Sequence, residues 1–295
     1  MYDIATYVQA GCVADAVAAL AADPSAMPIA GGTDVLIQTR EGRHAGCSLV
    51  SLHGLEELRT IRMEEDGTLV IGSGCTFSEI TASALLQSTV PILCWAVDQV
   101  GSPQIRNMGT IGGNVCNGVT SADSACSLMV LNAVMELQGP EGRRLAPIAQ
   151  WYTGPGKTVR RHEEVLVSVR IAKADYEKFG GHYIKYGKRE AMEISTLGCA
   201  VSVKLDAGKK TVDDLRIAFG VAAPTPIRCP KTEALAKGRT ADAALVREIG
   251  RSVLTEINPR DSWRASRAFR LQIAKEISRR AFLQAVQFAG GDCNA

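Results

Sequence analysis

The sequence predicts an α+β protein of two domains with a boundary near residue 175. Its 295 residues exceed what one hydrophobic core usually supports. Helical and strand-like patterns alternate over the first part of the chain, whereas consecutive strand patterns and a helical tail follow residue 175. We therefore expect one domain over residues 1–175 and a second over residues 180–288.

The elements of the first domain follow from local patterns. Residues 12–22 are Ala-rich and amphipathic, which predicts a helix. Thr76 with Glu79 three residues later predicts a capping box, hence a helix over residues 76–87. An apolar helix is expected over residues 88–100. Strands are predicted at residues 28–30, 48–52, 69–72, 133–138 and 164–171.

The second domain is predicted to contain an antiparallel sheet and a helical tail. A polar linker over residues 173–181 precedes it. Strands are expected at residues 183–185, 199–205 and 215–221, and residues 206–210 have the composition of a hairpin turn. Residues 240–288 are expected to be helical. One apolar face of that tail would carry Phe269, Ile273, Ile277 and Ala281.

Composition argues against several functions. Hydrophobic residues make up 46% and charged residues 22% of the chain, as in ordinary folded domains. A net charge of +2 and 5% aromatic residues argue against a nucleic-acid or membrane-surface partner. The nine cysteines are scattered without a CxxC pair and the four histidines stand alone, so no metal site is predicted.

The first residues and the apolar stretches of the sequence predict where in the cell the protein is found. The first residues have neither a basic start nor an apolar signal segment, and the longest apolar stretch, residues 90–97, is too short to cross a bilayer. We therefore expect a cytoplasmic protein with no membrane span.

The first motif is Ile29-Ala-Gly-Gly-Thr-Asp-Val-Leu36, a strand pattern that runs into paired glycines. Without Cβ atoms, adjacent glycines let backbone N–H groups converge on a phosphate or diphosphate. No lysine follows the glycines, which excludes a nucleoside-triphosphate loop of the GxxxxGK[ST] type. An ordinary tight turn is the alternative interpretation.

The second motif is Gly109-Thr-Ile-Gly-Gly-Asn-Val-Cys-Asn-Gly118, which again pairs glycines with neutral hydroxyl and amide side chains. Two such loops could enclose a dinucleotide, since several oxygens of its diphosphate each accept hydrogen bonds from protein donors. Asp123 would suit a ribose hydroxyl or an adenine amino group, or it could be an acidic helix N-cap.

Together these motifs resemble the FAD-binding medium subunits of molybdenum hydroxylases, and among them those of bacterial xanthine dehydrogenases. The resemblance extends from residue 1 to about residue 290. It implies a vanillyl-alcohol-oxidase (PCMH-type) FAD-binding domain made of two α/β subdomains. A C-terminal domain of antiparallel sheet and helices, like that of CO dehydrogenase flavoproteins, would follow. The matching stretches are residues 30–34, 102–106, 110–114, 121–123, 219–228 and 263–270, with Lys185 and Arg189.

The resemblance also implies a site for noncovalent FAD, because no covalent anchor is evident. Asp123 would hold the ribose or pyrophosphate region, Leu166 would lie by the isoalloxazine ring and Lys185 near its polar edge. Some relatives stack an aromatic ring on the flavin from the position of Val100, which here is aliphatic. The implied pyrophosphate loops comprise Pro28, Ile29, Ala30, Gly31, Gly32, Thr33, Asp34 and Val35, and Thr110, Ile111, Gly112, Gly113 and Asn114.

In function, the resemblance implies a subunit that accepts electrons and contributes no catalytic residue or metal ligand of its own. A molybdopterin-binding large subunit would hydroxylate a purine such as hypoxanthine or xanthine, and a [2Fe–2S] small subunit would pass the electrons to FAD. Reduced FAD would then deliver hydride to NAD⁺. The complex would be a heterotrimer or its dimer. Alternatives are an aldehyde, carbon monoxide or other N-heterocycle hydroxylase, a standalone flavin oxidase, and a scaffold without redox function.

Overall fold

The computed structural model describes residues 2–293. Its first unit is a three-stranded parallel sheet of order β1-β3-β2 with one helix packed on it. Helix α1 buries Val13, Ala16, Val17 and Leu20 in the small core between helix and sheet. The elements are β1 (Ile4–Gln9), α1 (Val13–Ala22), β2 (Ala26–Ile29), α2 (Val35–Arg40) and β3 (Cys47–Ser51).

The second unit is a five-stranded sheet of order β4-β5-β10-β6-β7, antiparallel throughout, together with six short helices. Strands β8 and β9 form a separate ribbon. Its elements are β4 (Ile61–Met63), β5 (Leu69–Gly72), α3 (Phe77–Ala82), α4 (Ala84–Thr89), α5 (Pro91–Asp98), α6 (Pro103–Met108), α7 (Ile111–Cys116), α8 (Asp123–Val130), β6 (Val134–Gly139), β7 (Gly142–Pro147), β8 (Tyr152–Gly154), β9 (Lys157–Thr158) and β10 (Val165–Ile171).

Two helical predictions in this unit need correction. The capping box of Thr76 and Glu79 is present, but the single helix expected over residues 76–87 is two helices. Ser83 has extended backbone angles (φ −70°, ψ 110°) and its hydroxyl caps α4, so the chain turns there. The glycine-rich stretch expected to be a loop contains helix α7.

The third unit is a four-stranded antiparallel sheet of order β11-β12-β13-β14, covered on one face by helices. The expected fold class, α+β with a C-terminal antiparallel sheet and helices, is confirmed. The elements are β11 (Phe179–Tyr186), β12 (Leu197–Leu205), β13 (Val212–Gly220), β14 (Ile227–Arg228), α9 (Pro230–Ala236), α10 (Ala243–Ser252) and α11 (Arg267–Phe288).

Two predictions for this unit were wrong in part. The linker expected over residues 173–181 already contains the start of β11, and Gly180 is needed there because a Cβ would lie 2.2 Å from the Ala285 carbonyl oxygen of α11. The tail is not helical throughout: ten residues separate the short turn after α10 from the capping Ser266 of α11. Phe269 is 42% exposed and does not share the buried face of Ile277 and Ala281.

The units are joined by a shared hydrophobic core. The main core of the five-stranded sheet and its helices also contains Tyr183, Ala200 and Ala218 from the C-terminal sheet. The buried Arg216 of β13 adds a hydrogen bond to the Val130 carbonyl at the end of α8. The C-terminal sheet therefore completes the core of the preceding unit.

Candidate functional site

A cleft of about 710 Å³ lies where the three units meet. Most residues expected to bind the cofactor line it, whereas Ile29, Ile111 and Lys185 do not. The side chains of Ile29 and Ile111 are buried in the hydrophobic cores behind the loops that carry them. The expected residues that line the cleft are Pro28, Ala30, Gly31, Gly32, Thr33, Asp34, Val35, Val100, Thr110, Gly112, Gly113, Asn114, Asp123 and Leu166.

The first motif forms a tight loop between β2 and α2. Gly32 has a φ of +71°, which residues other than glycine rarely adopt. A Cβ on Gly31 would lie only 1.7 Å from the carbonyl oxygen of Met108, so this loop touches the backbone just before the second motif. Within residues 2–293, the N–H groups of residues 31–34 have no hydrogen-bond acceptor. The loop, which lines the cleft, therefore has several free donors of the kind that an anion site requires.

The second motif differs from the expected donor loop. It is the start of α7, and Thr110 caps it by accepting a hydrogen bond from the Gly113 N–H. The N–H groups of Ile111 and Gly112 donate to the carbonyls of Cys75 and Ser73. These donors are therefore not free for a ligand, and the motif offers side chains instead.

Packing explains Gly112 of this motif. A Cβ on Gly112 would lie 2.6 Å from the Ser73 Cβ, so Gly112 lets α7 approach the turn that follows β5.

The Asn114 amide oxygen accepts a hydrogen bond from the Ser124 hydroxyl at 2.6 Å, which leaves its NH₂ group as a donor.

Asp123 is buried at the start of α8 and is paired with two side chains of β11. Its Oδ2 lies 2.8 Å from the Lys185 Nζ, and its Oδ1 accepts a hydrogen bond from the Tyr183 hydroxyl at 2.7 Å. Burial raises the pKa of the Asp123 carboxyl, and both partners counteract that shift. The N-cap of α8 is Ala122, so Asp123 is not the capping residue that the sequence allowed.

Lys185 lies behind the cleft wall. Its Nζ donates to Asp123 and to the Gln99 carbonyl at the end of α5. Its charge is therefore balanced by Asp123. The place near the polar edge of the isoalloxazine ring that the resemblance implies for Lys185 stays a prediction.

Part of the cleft lining is apolar. Leu166 of β10, Val100, Phe77 and Leu58 contribute to it. Strand β10 has an irregular register against β6 between Leu166 and Ser168, as a β-bulge produces, and bulges often redirect side chains near functional sites. This apolar part of the lining suits a flat, uncharged ring system.

Arg160 and His44 are among the cleft residues that the sequence did not indicate. The guanidinium of Arg160 donates to the carbonyls of Arg161, His162 and Glu164, and the residue lines the cleft. His44 also lines it, with its Nε2 2.8 Å from the Gln38 amide oxygen. Neither belongs to a recognisable motif, since only the tertiary fold brings them to the cleft.

The described residues contain no group of three His, Cys, Asp or Glu side chains that could hold a metal ion. Across residues 2–293, no helix combines the length and hydrophobicity that a bilayer crossing requires.

Comparison with known families decides the classification. Residues 2–173 match the model described as "FAD binding domain in molybdopterin dehydrogenase", and residues 182–285 match "CO dehydrogenase flavoprotein C-terminal domain". The chain belongs to the molybdopterin dehydrogenase FAD-binding family. The two matches meet near the junction between the five-stranded and the C-terminal sheets.

Individual members of this family cover nearly the whole chain. The xanthine dehydrogenase FAD-binding subunit of Escherichia coli O157:H7 is 44% identical over 291 residues, which is 99% of either chain. A carbon monoxide dehydrogenase structure from Hydrogenophaga pseudoflava superposes with a TM-score of 0.91 at 28% identity, covering 97% of this chain and 98% of that one. Quinoline 2-oxidoreductase from Pseudomonas putida 86 has the same fold, with a TM-score of 0.91 at 24% identity, covering 98% of this chain and 99% of that one.

Proposed function

We propose that this family member is the FAD-binding subunit of a xanthine dehydrogenase-like molybdenum hydroxylase. In this proposal it holds one noncovalent FAD in the cleft and takes electrons from a [2Fe–2S] subunit during purine oxidation in a molybdopterin-binding subunit. The observation that carries the proposal is the loop of residues 31–34, which lines a cleft of about 710 Å³ and whose N–H groups have no acceptor among the described residues. That volume falls within the roughly 300–1,000 Å³ typical of small-molecule sites.

The chemistry of the cleft fits FAD in three respects. The N–H groups of residues 31–34 would hold the diphosphate, with Thr110 and Asn114 adding neutral polar side chains. Asp123 would accept a hydrogen bond from a ribose hydroxyl. Val100 and Leu166 would contact the isoalloxazine ring through apolar surface.

Lys185 would act on the cofactor through Asp123, whose charged form it favours against the effect of burial on the pKa of that carboxyl. Bound FAD would supply the redox chemistry, collecting two electrons from the iron–sulfur partner and delivering hydride to NAD⁺. The protein would bind and orient the cofactor, and the other subunits would supply molybdopterin and the [2Fe–2S] cluster.

The test is purification of the complex from its native host, with its visible spectrum and the masses of its subunits. We expect flavin and iron–sulfur absorption, two partner chains, and NADH formation when xanthine or hypoxanthine is added. Acid precipitation should release free FAD into the supernatant.

Each contrary result would overturn a specific part of the proposal. Flavin that stays on the precipitated polypeptide would contradict noncovalent binding. A preparation that stays colourless after FAD is added would contradict the cofactor. Oxidation of an aldehyde or carbon monoxide but not of purines would assign the chain to another hydroxylase, and purine oxidation without NADH formation would contradict NAD⁺ as the acceptor.

A further inference from the structure

A second, smaller pocket adjoins the cleft on the side of the C-terminal domain. It has a volume of about 70 Å³ and shares Ser121 and Ile194 with the cleft wall. By a similar measure one water needs roughly 10–15 Å³, so the pocket has room for a small polyatomic ion. We call it the arginine pocket, because Arg260, Arg264 and Arg270 line it together with Ser195.

Arg270 provides a buried positive charge at this pocket. The residue is 2% exposed, yet none of the three arginines forms an ion pair with a carboxylate among the described residues. Burial and the two neighbouring arginines lower the pKa of the Arg270 guanidinium, and Asp261 only partly counteracts them. A buried charge without a partner is costly, so the pocket favours an anion.

The guanidinium of Arg270 also has donors to spare. It donates to the carbonyls of Thr196 and Arg260 and to the Ser262 hydroxyl. A guanidinium has five N–H groups, and in the described part of the chain only these three hydrogen bonds are formed. Two N–H groups therefore remain for an acceptor.

A buried hydroxyl adds a further possible donor. Ser195 is 3% exposed, and its Oγ forms no hydrogen bond with the described residues. The Arg264 Cζ lies 4.3 Å from the centroid of the Trp263 ring, a cation–π contact.

We propose that the arginine pocket binds a phosphate group. The buried Arg270 guanidinium and the Ser195 hydroxyl lie at a cavity of about 70 Å³ that two further arginines, Arg260 and Arg264, also line, which suits the several acceptor oxygens of a tetrahedral oxyanion. The phosphate is either free inorganic phosphate or the phosphoryl group of a nucleotide that reaches the pocket from the adjoining cleft.

The test is calorimetric titration of the purified FAD-containing protein with inorganic phosphate in chloride buffer at constant ionic strength. We expect saturable binding in the wild type. The double variant R260Q/R264Q should bind phosphate at least about tenfold more weakly, because it loses two charged donors while Arg270 and the fold are kept.

The control variant is R280Q. Arg280 is an exposed residue of the same helix, α11, and pairs with Glu276 away from the pocket. Phosphate affinity should be unchanged in it. Flavin content is measured in all three proteins, so a failure of the FAD site is distinguished from a failure of the arginine pocket.

A second titration identifies the source of the phosphate. If ADP displaces inorganic phosphate and loses affinity in R260Q/R264Q, the pocket receives a nucleotide phosphoryl group. If phosphate binds and ADP does not compete, the pocket takes the free ion. The proposal is overturned if phosphate shows no saturable binding, or if R260Q/R264Q binds it as tightly as the wild type.

Discussion

At the residue scale, Gly32 combines a positive φ with a position in the cleft wall. In Gly32→Val, a β-branched side chain would strain the backbone by about 1–2 kcal/mol and would crowd Leu36, whose Cδ1 lies 3.0 Å from the ideal Cβ position. We expect FAD affinity to fall at least about tenfold. The measurement is the ratio of flavin to protein absorbance after gel filtration.

The matched control for this variant is Gly42→Val. Gly42 has a φ of +81° on an open surface, so that variant has the strain without the crowding in the cleft. It should retain its flavin. Normal flavin content in Gly32→Val would remove the first motif from the site.

Lys185 and Asp123 form a buried ion pair, in which each side chain balances the charge of the other. Lys185→Met leaves the Asp123 carboxylate buried with only the Tyr183 hydroxyl, and breaking such pairs costs about 3–5 kcal/mol. Urea denaturation should show a loss of this size, and Lys185→Met/Asp123→Asn should recover part of it. The exposed pair of Lys173 and Glu177 is the control, because Lys173→Met should cost less than about 1 kcal/mol. Equal losses of unfolding free energy in Lys185→Met and Lys173→Met would refute a special role for the buried pair.

Which residues form the cleft could be predicted only where the chemistry is local. Paired glycines indicate tight turns and close backbone contacts, so the loop of Gly31 and Gly32 was accessible from sequence. Arg160 and His44 were not, because neither has a distinctive neighbour in the chain. The partner of Lys185 was also hidden, since Asp123 lies 62 residues away in sequence.

At the scale of elements, the turn that starts α3 supports the second motif. Thr76 bridges to Thr110, and the Phe77 N–H donates to the Gly109 carbonyl. Thr76→Ala removes the capping hydroxyl, which should lower the unfolding free energy by about 1 kcal/mol. FAD affinity should fall several-fold, because the same turn holds the motif in place. Both are measured by urea denaturation and flavin titration.

Asp242→Ala provides the comparison, since Asp242 caps α10 far from the cleft. It should lose similar stability and keep its FAD affinity. If both variants bind FAD equally well, the turn does not support the site.

Elements with strong periodic patterns were predicted closely, and weakly patterned ones were missed. Strand β5 and helix α1 bury regular apolar residues and match their expected ranges. Strand β1 was missed because five of its six residues are exposed, which leaves no alternation to detect. Helix α7 was missed because its two glycines are poor helix formers, and tertiary packing outweighs that preference.

At the scale of the whole molecule, the shared core predicts cooperative unfolding. Tyr183, Ala200 and Ala218 belong to the core of the five-stranded sheet and its helices, so that unit does not keep an intact core without the C-terminal sheet. Differential scanning calorimetry should show a single transition with a ratio of calorimetric to van 't Hoff enthalpy near one. Excess FAD should shift that transition upward as a whole. Two resolved transitions would contradict the coupling.

The contribution of β11 to the Asp123 pair has a consequence for biosynthesis. A ribosome delivers the N-terminal unit first, and at residue 175 the emerging chain still lacks Tyr183 and Lys185. The Asp123 carboxylate then lacks both partners, the Lys185 ammonium and the Tyr183 hydroxyl, and the cleft is incomplete. We therefore expect FAD to bind only near the end of translation. Nascent chains stalled with residues 1–175 outside the exit tunnel should retain no flavin fluorescence, whereas chains stalled with residues 1–293 outside it should retain it.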